Sequence, residues 1–147
     1  MPLPGGATDK LGNRYEGRWT VSCMIDVMDE KAESIRLEKP GEDAFEFFLH
    51  RGNQLECHQV KRQKTGLGHW TLSALENSQV QVLSDFWRSL KDPNIRCFFV
   101  STQDADQLNE LTNHARNSVS WAEFDREFLK SNQQTTNISK LCHLCAK

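Results

Sequence analysis

The stretch that decides the fold is residues 41–63, GEDAFEFFLHRGNQLECHQVKRQ. Two runs of strand-forming residues, 44–50 and 55–62, flank the polar segment RGNQ at 51–54. Glycine and asparagine in so short a segment are typical of the turn of a β-hairpin. A further strand is expected at 34–38, where polar and apolar residues alternate before a Pro-Gly turn. The three strands are predicted to form a meander.

The segments on either side of this meander show other patterns. Apolar residues that recur every three or four positions predict helices, and they do so at 13–28, 70–90, 104–115 and 121–129. The continuous apolar run IRCFFV at 95–100 is predicted to be a strand buried on both faces. The order of these elements implies an α/β fold in which helices flank a mixed sheet.

The length of 147 residues suits a single domain. Residues 1–12 hold two prolines and three glycines and are predicted to be a lead-in loop. The folded domain is expected at 13–130. Residues 131–147 are predicted to be a polar tail that leads to a truncated downstream region, because SNQQTTNIS is polar and LCHLCAK has no evident partner.

Charge and composition limit the classes of function. The chain has 18 Lys and Arg against 20 Asp and Glu, which excludes a broadly cationic coat for nucleic acid but leaves room for a local basic groove. No apolar run is long enough to span a bilayer, and no signal peptide is evident. We therefore expect no membrane contact, and five reduced cysteines in a cytoplasm.

Polar residues that suit phosphate chemistry lie at one end of the predicted hairpin. Asp43 lies at the entry to one strand, and Gln59 and Lys61 lie at the end of its neighbour. Because strand side chains alternate, Gln59 and Lys61 share a face and Val60 points the other way. With Asp43 across the hairpin, one surface patch is expected to hold a carboxylate, an amide oxygen and an ammonium.

This patch suits metal-dependent hydrolysis of a phosphodiester. Carboxylate and carbonyl oxygens are the ligands that Mg²⁺ prefers, and Asp43, Gln59 and the Val60 backbone carbonyl supply them. Bound metal would polarise the phosphate and acidify a water, and Lys61 would stabilise the developing charge or position the nucleophile.

Simpler interpretations of the same residues stay open. Asp43 also suits a turn, and Lys61 opens a basic run that also suits a solvated strand end. Glu46 rivals Asp43 as the acid of the site, but it has the opposite strand parity unless a bulge exchanges the two.

Three strings of the sequence resemble a known family. They are GGATDKLGNRYEGRWTV at 5–21, GEDAFEFFL at 41–49 and ECHQVKRQ at 56–63. An Asp that opens one strand and a QxK in the next resemble the PD-(D/E)xK nuclease superfamily, in the Gln variant of Mrr-like restriction endonucleases. The fuller strings resemble the N-terminal endonuclease domain of the CD-NTase-associated protein four family of bacterial antiphage effectors. The resemblance covers roughly residues 5–130.

The resemblance implies a restriction-endonuclease-like fold and an endonuclease that uses Mg²⁺ or Mn²⁺ to cleave double-stranded DNA. It implies Asp43 as the metal-binding acid, Gln59 in the place of the family's usual Glu, and Lys61 as the catalytic lysine. Glu16, on the leading helix, is implied as a further catalytic and metal-binding acid. Gln59 carries no charge, so compensation for the missing carboxylate is expected from Glu16 or Glu42.

DNA contacts are expected beside the catalytic lysine. Arg62 and Lys64 are predicted to contact phosphates next to the scissile bond, and His69 to stack on DNA. The resemblance also implies antiviral defence in a bacterial cytoplasm, with a C-terminal sensor or oligomerisation domain outside this chain. It further implies a homo-oligomer as the active state.

Three alternatives remain beside this interpretation. A degenerate nuclease fold would act as a binding or assembly module, and a salt bridge that fills the site, such as Lys61 with Glu42, would favour it. An RNA-directed nuclease would share the same phosphate chemistry. Cys142 and Cys145 form a CxxC around His143, which opens a zinc site only if further ligands lie elsewhere.

Overall fold

A computed structural model describes residues 7–37, 44–62 and 68–146 of the chain. These residues form six helices and a four-stranded sheet. In chain order the elements are α1 Ala7–Met28, β1 Ser34–Leu37, β2 Phe47–Arg51, β3 Gln54–Val60, α2 Leu72–Leu75, α3 Val82–Ser89, β4 Ile95–Val100, α4 Asp106–Arg116, α5 Trp121–Phe128 and α6 Asn132–Cys145. The expected α/β composition with a mixed sheet is confirmed. Within the described ranges, no helix combines the length and the apolar character needed to cross a bilayer.

The described sheet has the order β1-β2-β3-β4. The first three strands are antiparallel neighbours, and β4 is parallel to β3. Arg51 pairs with Gln54 across a two-residue turn, and Gly52 in that turn has a φ of 61°. Glycine adopts this left-handed backbone without the steric cost that other residues have, so the turn is well matched to its sequence. The predicted hairpin is therefore confirmed.

One face of the sheet packs against α1. Its buried cluster consists of Cys23, Ala32, Phe47, Leu49 and Val60, with Trp19, Val27, Ile35 and Val100 packed around it. Because side chains alternate along a strand, the Val60 side chain points to this face and that of the adjacent Gln59 points to the other face. We call the side that contacts α1 the helix face and the other side the opposite face.

The first helix is longer than expected. It begins at Ala7, so residues 7–12, predicted to belong to a lead-in loop, form its first turns. Extension of an existing helix is easier than its nucleation, because each added residue fixes only two backbone dihedrals and gains one hydrogen bond. Residues 7–12 contain no proline, so nothing in their backbone stops this extension.

The single helix predicted at 70–90 is divided into α2 and α3. Asn77 lies in the break, where its side-chain oxygen accepts hydrogen bonds from the backbone N–H groups of Gln79 and Val80. Asparagine competes in this way with helical hydrogen bonding and favours a turn. The expectation of one continuous helix was wrong because the spacing of apolar residues carries no information about these side-chain hydrogen bonds of Asn77.

The strand predicted at 95–100 forms β4, but its burial differs from the expectation. All its residues are half-buried except Arg96, which is exposed. Within the described sheet β4 is a terminal strand, with β3 as its neighbour. A terminal strand retains solvent access along one side, so a continuous apolar run does not by itself establish full burial.

The tail predicted at 131–147 is also ordered differently, because α6 occupies most of it. The Ser131 hydroxyl accepts from the Gln134 backbone N–H, and the Gln134 side chain accepts from the Ser131 backbone N–H. This reciprocal capping box fixes the start of the helix. Asn137 and Leu144 are buried, so the segment belongs to the folded structure.

The chain divides into two compact units. One contains residues 1–62 and 88–102, and the other contains residues 63–87 and 103–147. The sheet and α1 belong to the first unit, and α4, α5 and α6 belong to the second.

Candidate active site at the end of strand β3

The end of β3 fixes two charged residues through backbone hydrogen bonds. The Glu46 N–H donates to the carbonyl of His58 at 3.0 Å, so Glu46 extends the pairing of β2 with β3. The Lys61 N–H donates to the carbonyl of Val100 at 2.9 Å, which extends the pairing of β3 with β4. Both residues are therefore held by the sheet although they lie just outside its strands.

The Glu46 carboxylate uses both of its oxygens at this position. Its Oε1 lies 2.8 Å from the Lys61 ammonium, and its Oε2 accepts the Val60 backbone N–H at 2.7 Å. The Glu46 side chain is only 11% exposed and that of Lys61 is 32% exposed. The ion pair is therefore partly withdrawn from water, where its attraction is less screened than at a free surface.

Gln59 is buried beside this ion pair, at the penultimate residue of β3. It is only 2% exposed, and its Oε1 has no hydrogen-bond partner among the described residues. A buried acceptor without a donor typically costs about 1–3 kcal/mol. A hydrogen-bond donor, a water or a cation placed at this oxygen would therefore lower the free energy of the folded protein.

The register of the hairpin corrects the parity that the sequence suggested for Glu46. Phe47 pairs with His58, so the next position along each strand sets Glu46 opposite Gln59. Opposed residues of antiparallel strands share a face, which makes Glu46 a companion of Gln59 and Lys61 without any bulge. The two-residue turn was the signal for this, because loop length fixes the register of the whole hairpin.

The other predicted site residues fall in different places. Asp43 and Lys64 lie outside the described residues. Val60 is buried and its N–H is bound by Glu46, while a ligand role of its carbonyl stays a prediction. Arg62 is exposed directly after the site, as a phosphate contact requires. His69 is exposed before α2, in the second unit.

Glu16 and the Gln59 side chain lie on opposite sides of the sheet. It is half-buried on α1, one turn before Trp19, whose indole N–H donates to His58 Nδ1 at 3.2 Å. Because α1 packs on the helix face, Glu16 belongs to that side of the sheet, whereas the Gln59 side chain points to the opposite face. A shared metal between Glu16 and Gln59 stays a prediction.

The helix face carries a second group of polar residues around His58. Its ring is stacked between Phe47 and Phe98, with centroid distances of 4.5 Å and 4.8 Å. Burial lowers the pKa of His58 below its ordinary value, against the opposing effect of Glu56. The neutral ring accepts from Trp19 at Nδ1, so its proton lies on Nε2 and is donated to Glu56 at 3.2 Å. His58 is thus a packed residue on the helix face, on the other side of β3 from Gln59.

Arg51 completes this second group. Its guanidinium binds Glu56 at 3.1 Å and Asp26 at 2.9 Å, and it also donates to the carbonyl of Lys31. Glu56 is only 6% exposed, and a buried carboxylate requires such a partner. The group therefore ties α1 to the hairpin and offers no free acid or base.

The donor chemistry at the end of β3 fits a hard divalent cation. Glu46 and Gln59 provide carboxylate and amide oxygens, which suit Mg²⁺. Each Glu46 oxygen retains a second lone pair beside the hydrogen bond it accepts. The described residues contain no group of three or more His, Cys, Asp and Glu side chains that could hold a metal ion. A complete ligand set would thus need oxygens from backbone, water or residues such as Asp43.

Two other features offer less chemistry. A cavity of about 380 Å³ in the second unit is lined mainly by apolar residues such as Leu111, Phe124 and Leu141. Its hydroxyls are engaged locally, since Ser118 donates to the carbonyl of His114 and Ser120 accepts from the backbone N–H of Glu123. It therefore presents packing surface and no reactive group.

The CxxC of α6 finds no support as a zinc site. Cys142 is exposed, and the Cys145 thiol points to the carbonyl of Leu83 at 3.8 Å. Zinc requires about four ligands. No cluster of that kind occurs in the described parts of the chain.

Comparisons with models of protein families, with curated proteins and with solved structures find no match to this chain.

Proposed function

We propose that the chain is a metal-dependent endonuclease that cleaves double-stranded DNA. The observation that carries the proposal is the arrangement of Glu46, Gln59 and Lys61 at the end of β3. There a partly buried ion pair lies beside an amide oxygen that has no partner among the described residues. A lysine held by a carboxylate near an oxygen ligand is suited to phosphoryl chemistry. The restriction-endonuclease-like fold is part of the same proposal, supported by the mixed sheet that α1 covers.

Each residue has a distinct part in this proposal. Gln59, Glu46, Asp43 and the Val60 carbonyl would hold Mg²⁺ or Mn²⁺, which would polarise the phosphate and acidify a water. Glu16, which lies on the helix face, stays a predicted further ligand. Glu46 accepts a hydrogen bond from Lys61 and holds its ammonium in place. Lys61 donates to the phosphoryl oxygens as negative charge develops on them, which lowers the barrier.

The surroundings extend the proposal. Arg62 is exposed next to Lys61 and would contact a phosphate of the bound strand, with Lys64 and His69 as further DNA contacts. As the resemblance implies, the setting would be antiviral defence in a bacterial cytoplasm. A C-terminal sensor or oligomerisation domain would activate the nuclease, and two copies would supply the two sites that a double-strand cut requires.

A second candidate function is a binding or assembly module on a degenerate nuclease fold. The observation that favours it is the Lys61–Glu46 ion pair itself, which satisfies the lysine without any metal or phosphate. The neutral Gln59 points the same way, because it removes one carboxylate from the ligand set.

Plasmid cleavage by the full chain at high protein concentration tests the proposal. We would compare Mg²⁺, Mn²⁺ and EDTA for the wild type, Asp43→Ala and Lys61→Ala, with Lys130→Ala as a matched control on the exposed surface. We expect metal-dependent cutting that EDTA abolishes. Loss of a group that stabilises the transition state typically lowers a rate by about 100-fold or more, so Asp43→Ala and Lys61→Ala should fall by that factor while Lys130→Ala is unchanged.

Calorimetric titration of Mg²⁺ and Mn²⁺ on the same samples separates the two candidates. Metal binding that Asp43→Ala abolishes, without cutting, would indicate a nuclease that still needs its partner domain. Neither cutting nor metal binding, in a protein that still binds DNA, would establish the module. Equal cutting by the wild type and Lys61→Ala would refute the assignment of the lysine.

A further inference from the structure

Two cysteines of the sheet lie side by side. Cys57 of β3 and Cys97 of β4 are register partners in the parallel pairing, so their side chains lie on the same face of the sheet. Neighbouring strands lie about 4.8 Å apart. A disulfide needs its two Cα atoms about 4.4–6.8 Å apart, and the spacing of neighbouring strands falls within that range.

The two thiols differ in their access to solvent. Cys57 is only 2% exposed, whereas Cys97 is half-buried on the terminal strand of the described sheet. A small oxidant that arrives from solvent therefore meets Cys97 first. Cys57 is then in contact with the oxidised sulfur, which is the position of a resolving cysteine.

The remaining cysteines lack this arrangement. Cys23 is a buried residue of α1, and burial raises the pKa of its thiol to about 11, which makes it a poor nucleophile. Cys142 and Cys145 lie within one helix, with Cys145 directed to the carbonyl of Leu83. Of the five thiols, Cys57 and Cys97 are the pair that the sheet holds in register on neighbouring strands.

We propose that Cys57 and Cys97 form a reversible disulfide when the protein meets hydrogen peroxide, which makes the pair an oxidative modification site of the sheet. This inference does not depend on the proposed nuclease activity. The disulfide would lie on the opposite face, two residues before Gln59 on β3, and would join β3 covalently to β4.

The chemistry balances with the peroxide as the oxidant. The Cys97 sulfur attacks one peroxide oxygen, the O–O bond breaks, and a sulfenic acid and one water form. The Cys57 sulfur then attacks the sulfenic sulfur, the S–O bond breaks, and the S–S bond forms as a second water leaves. Two thiols lose two electrons in total, and one hydrogen peroxide is reduced to two waters. A dithiol such as dithiothreitol reverses the change.

The test uses the full chain with Cys142→Ser and Cys145→Ser, so that Cys23, Cys57 and Cys97 remain. The protein is treated with hydrogen peroxide at several protein concentrations, quenched with catalase, denatured and alkylated. We expect a mass lower by two hydrogen atoms before alkylation and the loss of two alkylatable thiols. A single cross-linked peptide pair should contain Cys57 and Cys97, independently of protein concentration, and dithiothreitol should restore both thiols.

A matched variant, Cys97→Ser in the same background, tests the pair directly. Serine is tolerated at a half-buried position of a terminal strand, and circular dichroism would verify the fold. We expect no intramolecular cross-link in this variant. The proposal is overturned if all three thiols of the parent remain alkylatable, if Cys97 becomes sulfinic acid while Cys57 stays free, or if the cross-link joins other cysteines. Peptide mapping of the oxidised wild type gives the same decision if the serine background does not fold.

Discussion

The Lys61 ammonium lies 2.8 Å from the Glu46 carboxylate, although the two residues are 15 positions apart in the sequence. The hairpin between them is what brings them together, and the same carboxylate also accepts the backbone N–H of Val60. Glu46 therefore links the end of β3 to the start of β2 whether or not a substrate is present. Removal of either partner tests stability separately from activity.

We expect Lys61→Met to lower the free energy of unfolding by about 1–2 kcal/mol, because it leaves a largely buried carboxylate with one partner fewer. The matched control is Lys31→Met, which removes an exposed pair with Asp29 and should cost less than about 1 kcal/mol. Urea denaturation followed by circular dichroism measures both. Equal losses would mean that the Lys61–Glu46 pair contributes no more than a surface pair.

The buried His58 should make stability depend on pH. Burial lowers its pKa in the folded protein below the ordinary value of 6.5, so the unfolded chain takes up the proton first as the pH falls. The contribution of His58 is therefore fully present above pH 6.5 and is lost as the pH falls towards its folded-state pKa.

Denaturation midpoints from pH 8 down to pH 5, compared between the wild type and His58→Gln, measure this contribution. Glutamine retains an acceptor for Trp19 and does not titrate, so the variant should lose less stability on acidification. His143→Gln changes an exposed histidine and serves as the control. An identical pH profile for His58→Gln and the wild type would contradict the expectation.

Two glycines should respond to alanine with opposite signs. Gly52 has a φ of 61° in the hairpin turn, where a Cβ is disfavoured, so Gly52→Ala should cost about 1 kcal/mol or somewhat more. Gly17 lies inside α1, and a Cβ there meets no atom within 4 Å. Gly17→Ala should therefore stabilise the protein by up to about 1 kcal/mol. Thermal and urea denaturation would determine the signs. A Gly52→Ala variant as stable as the wild type would contradict the assigned turn, and a destabilised Gly17→Ala variant would contradict the expectation for α1.

The capping box of α6 provides a test of the C-terminal helix. Ser131→Ala removes the hydroxyl that accepts from Gln134 and should cost about 1 kcal/mol. Ser139→Ala changes an exposed serine within the same helix and should be neutral or slightly stabilising. Hydrogen exchange of the α6 amides should accelerate in Ser131→Ala alone. Unchanged exchange in that variant would mean that packing around Leu144, not the cap, holds the helix.

Local signals in the sequence predicted the parts of the fold that depend on neighbours in the chain. The glycine of the hairpin turn located β2 and β3, and the spacing of apolar residues located α4 and α5. The capping pair Ser131 and Gln134 was an equally local signal for α6, but the polar composition of the segment concealed it. Burial of a few residues such as Leu144 is enough to retain a helix that is polar elsewhere.

The candidate site was less predictable because it depends on register and on packing between distant elements. The two-residue turn fixes the hairpin register, and that register sets Glu46 opposite Gln59. The alternation of side chains within a single strand does not show which residues face each other across the hairpin. The burial of Gln59 and the contact of Trp19 with His58 arise only when elements far apart in sequence come together. No local pattern carries that information.

The parallel pairing of β3 with β4 has a consequence for the time course of folding. The contacts among β1, β2 and β3 join residues close in sequence, so they close short loops at little entropic cost. β4 reaches β3 only after the chain of residues 61–94 has crossed between them. We therefore expect the antiparallel hairpins to assemble first and β4 to join last, as the slow step that completes the sheet.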